Sequence, residues 1–184
     1  LGAEHPDTLA ARGNRAGALS ESGRFLTAEP ILRELVELHR RAGSAGPLAS
    51  VLNTLGILLF DLDRPAEAVP LLREALEINR GSNGENGPST LFSRQLIAQA
   101  LFTSADFAGA RRELEAAISS AATVYAADDR RYAGLWLLEA RLLAHAGRGA
   151  EAVELARRAL ALRERWVAAG SWKIGEARLV LAEA

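Results

Sequence analysis

The chain has 184 residues, of which 49% are apolar and only 5% aromatic, and its formal net charge is -1. This apolar fraction suffices for a packed core and excludes a disordered chain, and the dominance of alanine and leucine favours helices. The balanced charge excludes a strong field that would concentrate nucleic acid or anionic membrane. The absence of cysteine excludes disulfides and a thiolate zinc site, so we expect a cytoplasmic protein.

Apolar periodicity, broken by glycine, proline and short polar turns, predicts eight helices in four pairs. They are expected at residues 8–22, 25–42, 48–61, 65–80, 89–104, 107–126, 129–146 and 149–168, and Ser171 opens a ninth. Asp7 is predicted to cap the first helix, and Asp106 or Ser104 the sixth. Because the connectors are short, neighbouring helices should be antiparallel.

Small residues recur at a fixed spacing along the predicted helices. Each first helix of a pair has one, with steps of 40, 42, 42 and 42, at Ala16, Gly56, Ala98, Ala140 and Ala182. Each second helix has an alanine, with steps of 40, 42 and 42, at Ala28, Ala68, Ala110 and Ala152. The two registers agree, which indicates a helical repeat whose helices cross closely at these small side chains.

The hairpin from Leu52 to Ala75 resembles a tetratricopeptide repeat, with L-x-x-L-G-x-x-L from Leu52 and A-x-x-x-L-x-x-A from Ala68. The 42-residue spacing and the connector with Gly2, His5, Pro6 and Thr8 resemble the kinesin-light-chain subclass. A bacterial source is also expected. The resemblance implies an all-α, right-handed superhelical solenoid of antiparallel hairpins.

We expect one array over residues 1–184, with repeats at about 7–46, 47–87, 88–128 and 129–170 and a partial one at 171–184. The sequence begins without a methionine and stops at Ala184 inside an apolar helical pattern, so a fragment of a longer protein is expected. Arg12, Arg15, Ala105 and Glu139 depart from the family pattern, and Ala105 replaces the usual glycine between two helices.

In the tetratricopeptide family the first helices line a concave groove that holds a peptide or a helix of a partner. The resemblance therefore implies a peptide-binding groove in this chain, in which asparagine amides would hydrogen-bond a peptide main chain. The groove residues that it implies are Asn14, Asn53, Ile57, Asp61, Phe92, Gln95, Gln99, Leu137, Arg141 and His145.

Residues for catalysis are sparse. His5, His39 and His145 stand far apart, without the spacing of metal ligands, and the only lysine, Lys173, follows no phosphate-binding loop. The acid pairs Asp61 with Asp63 and Asp128 with Asp129 lie at helix ends, where capping is the ordinary role. We expect no catalytic residue, no metal and no cofactor.

The predicted function is a protein-protein interaction scaffold that is not an enzyme. Its expected partner is a protein or peptide, with no nucleic acid and no membrane, and the open ends of the array could self-associate. One alternative is a sensory or assembly arm of a larger regulator, since the stretch from Ser171 to Arg178 resembles arrays that trail bacterial serine/threonine kinases. A second alternative is an RNA-binding helical repeat that uses the C-terminal arginines.

Overall fold

The computed structural model describes residues 2, 5–168 and 170–184, and these residues form nine α-helices joined by short turns. The helices are α1 Pro6–Glu21, α2 Phe25–Ala42, α3 Ala45–Asp61, α4 Pro65–Asn83, α5 Pro88–Thr103, α6 Phe107–Val124, α7 Tyr132–His145, α8 Gly149–Trp166 and α9 Trp172–Glu183. The prediction of an all-α chain of helix pairs is confirmed, and most helix ends fall within three residues of the predicted ones.

The starts of α1, α3 and α7 differ from the predicted ones by two or three residues, and α3 begins at Ala45 rather than Leu48. Helix α1 begins at Pro6, and His5 rather than Asp7 is its cap, because the His5 Nδ1 accepts a hydrogen bond of 3.3 Å from the Asp7 N–H. Helix α7 begins at Tyr132 rather than Asp129, because the Asp129 carboxylate accepts from the Arg131 N–H at 2.9 Å and holds a turn there. The predicted Asp106 cap is confirmed, since its side chain accepts from the Gly109 N–H.

The helices divide into two compact units, Leu1–Ser104 with α1 to α5 and Ala105–Ala184 with α6 to α9. In the first unit each helix packs against the next, and α3 also packs against both α1 and α5. In the second unit consecutive helices pack in the same way, and α7 also packs against α9. Each unit therefore keeps its first helices together in one layer, while the expected division into four repeats remains a prediction.

The periodic small residues mark the closest helix crossings. Relative exposure is 0% for seven of them, Ala16, Ala28, Ala68, Ala98, Ala110, Ala140 and Ala152, and Gly56 is also buried. A Cβ placed on Gly56 would lie 2.5 Å from Leu72 Cδ2, so α3 and α4 meet there at a distance that only glycine allows. Ala182 is the exception, because it is exposed.

One residue in the turn between the two helices of each pair adopts a left-handed conformation. These residues are Gly23 with φ 74°, Asp63 with φ 56°, Ala105 with φ 62° and Gly147 with φ 74°. After α7 the Arg148 N–H donates to the Leu143 carbonyl at 2.9 Å, which closes the helix end in the manner of a Schellman motif. This turn geometry requires a left-handed residue after the helix. In the turn after α5 that residue is Ala105, which has a Cβ where glycine has none.

We expect Ala105→Gly to stabilise the chain by about 0.5–1 kcal/mol. A left-handed backbone conformation costs a residue with a Cβ roughly 1–2 kcal/mol. Glycine avoids this cost but loses about 0.5–1 kcal/mol more conformational entropy on folding, which offsets part of the gain. Urea unfolding followed by circular dichroism measures the change. Gly147→Ala is the matched reverse variant and should lose a similar amount. If both variants had the same urea unfolding midpoint as the wild type, this account of the turn would be contradicted.

Ion pairs join the outer surfaces of the second helices α2 and α4. Arg64 Nη1 lies 2.9 Å from Glu29 Oε2, and Arg40 Nε donates to Glu74 at 3.0 Å. Burial opposes ionisation of Glu29, but hydrogen bonds from Arg33 and Arg64 outweigh it and lower the pKa of this carboxyl. The charged side chains of these two helices thus pair with one another. The expected groove residues lie instead on the first helices of the pairs, α1, α3, α5 and α7.

Candidate functional site

The layer of α1, α3 and α5 in the first unit carries seven of the predicted groove residues. Asn14 is exposed on α1, Ile57 is 38% exposed on α3, and Phe92 is 45% exposed on α5. Gln95 and Gln99 are half-buried on α5. Two large apolar side chains therefore stand open to solvent on neighbouring first helices.

A cavity of about 380 Å³ lies where α3, the end of α4 and the start of α5 meet. Three of the predicted residues, Asn53, Ile57 and Phe92, line it. All of its lining residues are uncharged, and they combine hydroxyl and amide groups with apolar side chains. They are Gly46, Ser50, Asn53, Thr54, Ile57, Asn79, Pro88, Ser89 and Phe92.

A chain of buried hydrogen bonds supports the floor of this cavity. Asn79 Nδ2 donates to Ser93 Oγ at 3.0 Å, and Ser93 Oγ donates in turn to Asn53 Oδ1 at 3.1 Å. Ser93 is 0% exposed, while Asn53 and Asn79 are 7% and 6% exposed. Because burial makes an unpaired amide expensive, these bonds fix the orientation of Asn53 beside the cavity.

Asn14, Asp61, Gln95 and Gln99 are not among the residues that line the cavity. Asp61 ends α3 and is exposed, yet local desolvation raises the pKa of its carboxyl above the ordinary value. Asp61 thus adds no charge to the lining of the cavity.

The three predicted residues of the second unit have different environments. Leu137 is 3% exposed and packs in the core with Ala140, Ala156 and Val180, so its side chain presents no surface to a ligand. Arg141 is half-buried, and His145 is exposed at the end of α7. The His145 ring stacks on Phe107 with 3.6 Å between centroids. Their roles in binding remain predictions.

Sequence reasoning missed Asn79 and Ser93, which hold the polar chain under the cavity. The signal available in the sequence was that Asn79 is a polar residue on an apolar helix face and that the residue one repeat before it is also polar. His39 stands one repeat before Asn79 and is buried at the matching place on α2. The residue one repeat before Ser93 is Val51, which has no hydroxyl group. Within the described residues the His39 Nδ1 has no hydrogen-bond partner. Burial lowers the pKa of His39.

Within residues 2, 5–168 and 170–184, no cluster of three or more histidine or acidic side chains has a geometry that could hold a metal ion. No helix over these residues is both long and apolar enough to cross a membrane. The acidic side chains near helix ends instead make local contacts, such as Asp106 with the Gly109 N–H at 2.9 Å.

Comparisons with known proteins agree with this architecture. Models of the tetratricopeptide repeat match residues 47–123 and 140–165, which together make up more than half of the chain. The chain belongs to the tetratricopeptide repeat family. Domains of this family are generally protein-protein interaction modules that bind protein partners, and they are typically non-catalytic. No curated protein matches the chain significantly.

Solved structures similar to the chain include the TPR-like repeats of an inferred kinesin light chain from Podosopora anserina. The TM-score is 0.73 at 20% identity, over 97% of this chain and 85% of that one, and a variant of the same protein gives 0.75 with the same identity and coverage. BtubC (BKLC) from P. vanneervenii gives 0.72 at 17% identity, over 97% and 76%. The predicted kinesin-light-chain-like fold is confirmed, and the bacterial source stays a prediction.

Proposed function

We propose that the chain binds a segment of a partner protein on the first-helix layer of its first unit, with the cavity between α3, α4 and α5 as the anchoring pocket. The observation that carries the proposal is the pairing of two exposed apolar side chains, Ile57 and Phe92, at the rim of a cavity with a polar floor. Aromatic and aliphatic anchors in such pockets dominate the energy of many interfaces.

The chemistry of the pocket selects the kind of segment that binds. A cavity of about 380 Å³ is large enough for one or two apolar side chains, and its lining has no charge to pair with an ionised group. Ser50, Thr54 and the fixed amide of Asn53 offer hydrogen bonds for peptide groups that flank the anchor. The proposed ligand is therefore an uncharged segment with a large apolar residue.

A peptide-display library selected on the whole chain tests this function. The enriched peptides should share a large apolar residue, and Phe92→Ala should weaken their binding on the order of tenfold or more, because it removes one wall of the pocket. Ile57→Ala should act in the same direction. Isothermal titration with synthetic copies of the selected peptides measures the dissociation constants.

Leu26→Ala is the matched control, since Leu26 is a large apolar residue with 80% exposure that lies on the second helix α2. It should leave the dissociation constants unchanged. Asn53→Ala is a poorer probe, because it also removes the acceptor of Ser93 and disturbs the fold. Peptides that bind Phe92→Ala and Ile57→Ala as tightly as the wild type would place the site elsewhere.

The charges of the second unit favour a protein ligand over RNA. The RNA alternative depends on free arginines near the C-terminus, but Arg163 pairs with Glu176 and Arg165 with Asp128, each at 2.8 Å. Such pairs reduce the positive charge that is available for phosphates. The alternative of an arm of a larger regulator concerns the same binding surface and stays a prediction.

A further inference from the structure

His39 is a buried histidine that the proposed function does not use. It lies near the end of α2 with a relative exposure of 6%, and its Nδ1 atom is buried without a hydrogen-bond partner among the described residues. A neutral imidazole has an N–H on one nitrogen only, whereas the protonated ring has an N–H on both. Protonation therefore places a buried N–H at the His39 Nδ1, where no described group accepts it.

The repeat register shows how the chain satisfies a polar residue at this place. Asn79 stands one repeat after His39, and it donates to the Ser93 hydroxyl of the next first helix, α5, at 3.0 Å. The counterpart of Ser93 on α3 is Val51, which is buried and has no polar side-chain atom. The register thus places His39 between α2 and α3 without the partner that Asn79 has between α4 and α5.

The two helices that pack against α2 bring little charge to His39. Helix α3 is uncharged up to its last residue, Asp61, and that residue lies far from His39 because neighbouring helices are antiparallel. Arg12 of α1 pairs with Glu34 of α2, and the other charged side chains of α1 are exposed. These exposed residues are Asp7, Arg15 and Glu21.

The acidic side chains of α2 and α4 near His39 already have arginine partners. Arg40 pairs with Glu37 on its own helix and with Glu74 of α4. Arg40 and Arg41 directly follow His39, and a further positive charge beside them is unfavourable. A protonated His39 would therefore be a buried charge that no described carboxylate stabilises.

We propose that His39 is an acid-sensitive switch of the first unit, in which uptake of a proton by the ring loosens the packing of α2 against α3. The cost arises from a desolvated charge and an N–H without an acceptor. Helix α3 also carries most of the residues that line the cavity, so acid should weaken ligand binding too, and this consequence rests on the proposed function.

The direction of the effect follows from the binding of the proton. Burial lowers the pKa of His39 below the ordinary value of about 6.5, and no described charged group contributes to this shift. The unfolded chain therefore binds the proton more tightly than the folded chain does. Stability is complete above the ordinary pKa and decreases as the pH falls from there toward the lower pKa of the folded chain. One histidine can raise the equilibrium constant of unfolding by at most about tenfold per pH unit.

Other groups do not produce the same effect in this pH range. Burial raises the pKa of the carboxyls of Asp61 and Glu139, so acid favours their folded forms and acts in the opposite direction. Arginines lower the pKa of Glu29, and the stability that this carboxylate supplies is lost only around and below its ordinary pKa of about 4.5.

Urea unfolding of the 184-residue chain at about pH 8 and about pH 5 tests the switch. The wild type should unfold at a lower urea concentration at the acidic pH. His39→Leu removes the titrating ring, and its two midpoints should lie closer together. His5→Asn, which keeps a helix cap, and His145→Gln are the matched controls at the other two histidines, and both should keep the difference seen in the wild type. A His39→Leu variant that keeps the whole difference would overturn the proposal.

An NMR titration of the imidazole C–H signals of the folded wild type gives a second test that does not depend on the folding of a variant. The His39 signal should titrate below the ordinary pKa of histidine. A His39 ring that titrates at or above about 6.5 would also overturn the proposal. Both experiments contain no ligand, so their results are independent of the proposed function.

Discussion

Gly56→Leu is expected to destabilise the chain by at least about 1–3 kcal/mol, the usual range for adding bulk to a packed core. The reason is local, because a Cβ at this position would lie 2.5 Å from Leu72 Cδ2 and 2.9 Å from Leu72 Cγ. Leu72 is 0% exposed, so its side chain cannot turn out into solvent. Either α3 and α4 separate, or Leu72 leaves its rotamer. Ala68→Leu should act in the same direction from the α4 side of this hairpin.

Gly17→Ala is the matched control for this substitution. Gly17 lies within a helix of the same unit, but a Cβ there would meet no atom within 4 Å. Alanine should therefore stabilise α1 by up to about 1 kcal/mol through its higher helix propensity. Thermal and urea unfolding measure both changes. A Gly56→Leu variant that melts like the wild type would show that the two helices do not cross at this glycine.

The helix crossings could be predicted from the sequence because they depend on side-chain size. A close backbone approach permits only glycine or alanine, so the spacing of these residues records the repeat directly. The turn residues follow the same logic, since Gly23 and Gly147 stand where a left-handed residue is required. Ala105 departs from the glycine that is usual in this turn, yet it has the same positive φ. The turn geometry therefore determines the backbone conformation even where the residue type disfavours it.

The depth of a side chain could not be predicted from the periodicity of one helix. Asn53 and Leu137 fall on the side of the first helices where groove residues were expected, yet they are 7% and 3% exposed. Their burial depends on neighbouring helices, which a pattern within one helix does not describe. Arg12, another departure, pairs with Glu34 of α2. The half-buried Glu139 lies on α7, where desolvation raises the pKa of its carboxyl although Arg111 opposes this rise.

Two of the expected groove residues, Ile57 and Phe92, are open to solvent beside one cavity, and the proposed function uses them. Their role in binding stays a prediction. The polar chain beneath them was missed because Asn53 and Ser93 are far apart in the sequence, and their contact becomes visible only when α3 and α5 are aligned in space.

Ser93→Ala is expected to destabilise the first unit by about 1–3 kcal/mol, which is the penalty for leaving a buried polar group unpaired. The serine hydroxyl accepts from Asn79 Nδ2 at 3.0 Å and donates to Asn53 Oδ1 at 3.1 Å, so its removal affects two buried amides at once. Asn79 Nδ2 keeps only a long hydrogen bond of 3.4 Å to the Ser89 carbonyl. Urea unfolding measures the change.

Ser82→Ala is the control for the loss of a hydroxyl, because Ser82 is exposed and donates only to the Ile78 carbonyl of its own helix. It should change the free energy of unfolding by no more than about 0.5 kcal/mol. A double-mutant cycle of Ser93→Ala with Asn79→Ala should show a coupling of about 0.5–3 kcal/mol, since the second change removes a group that the first had already left unpaired. Additive effects would mean that the two side chains do not act as one network.

Because Asn53 also lines the cavity, a loosened network should weaken ligand binding as well. The stability of α3, α4 and α5 is thereby linked to the proposed function of the pocket that they form.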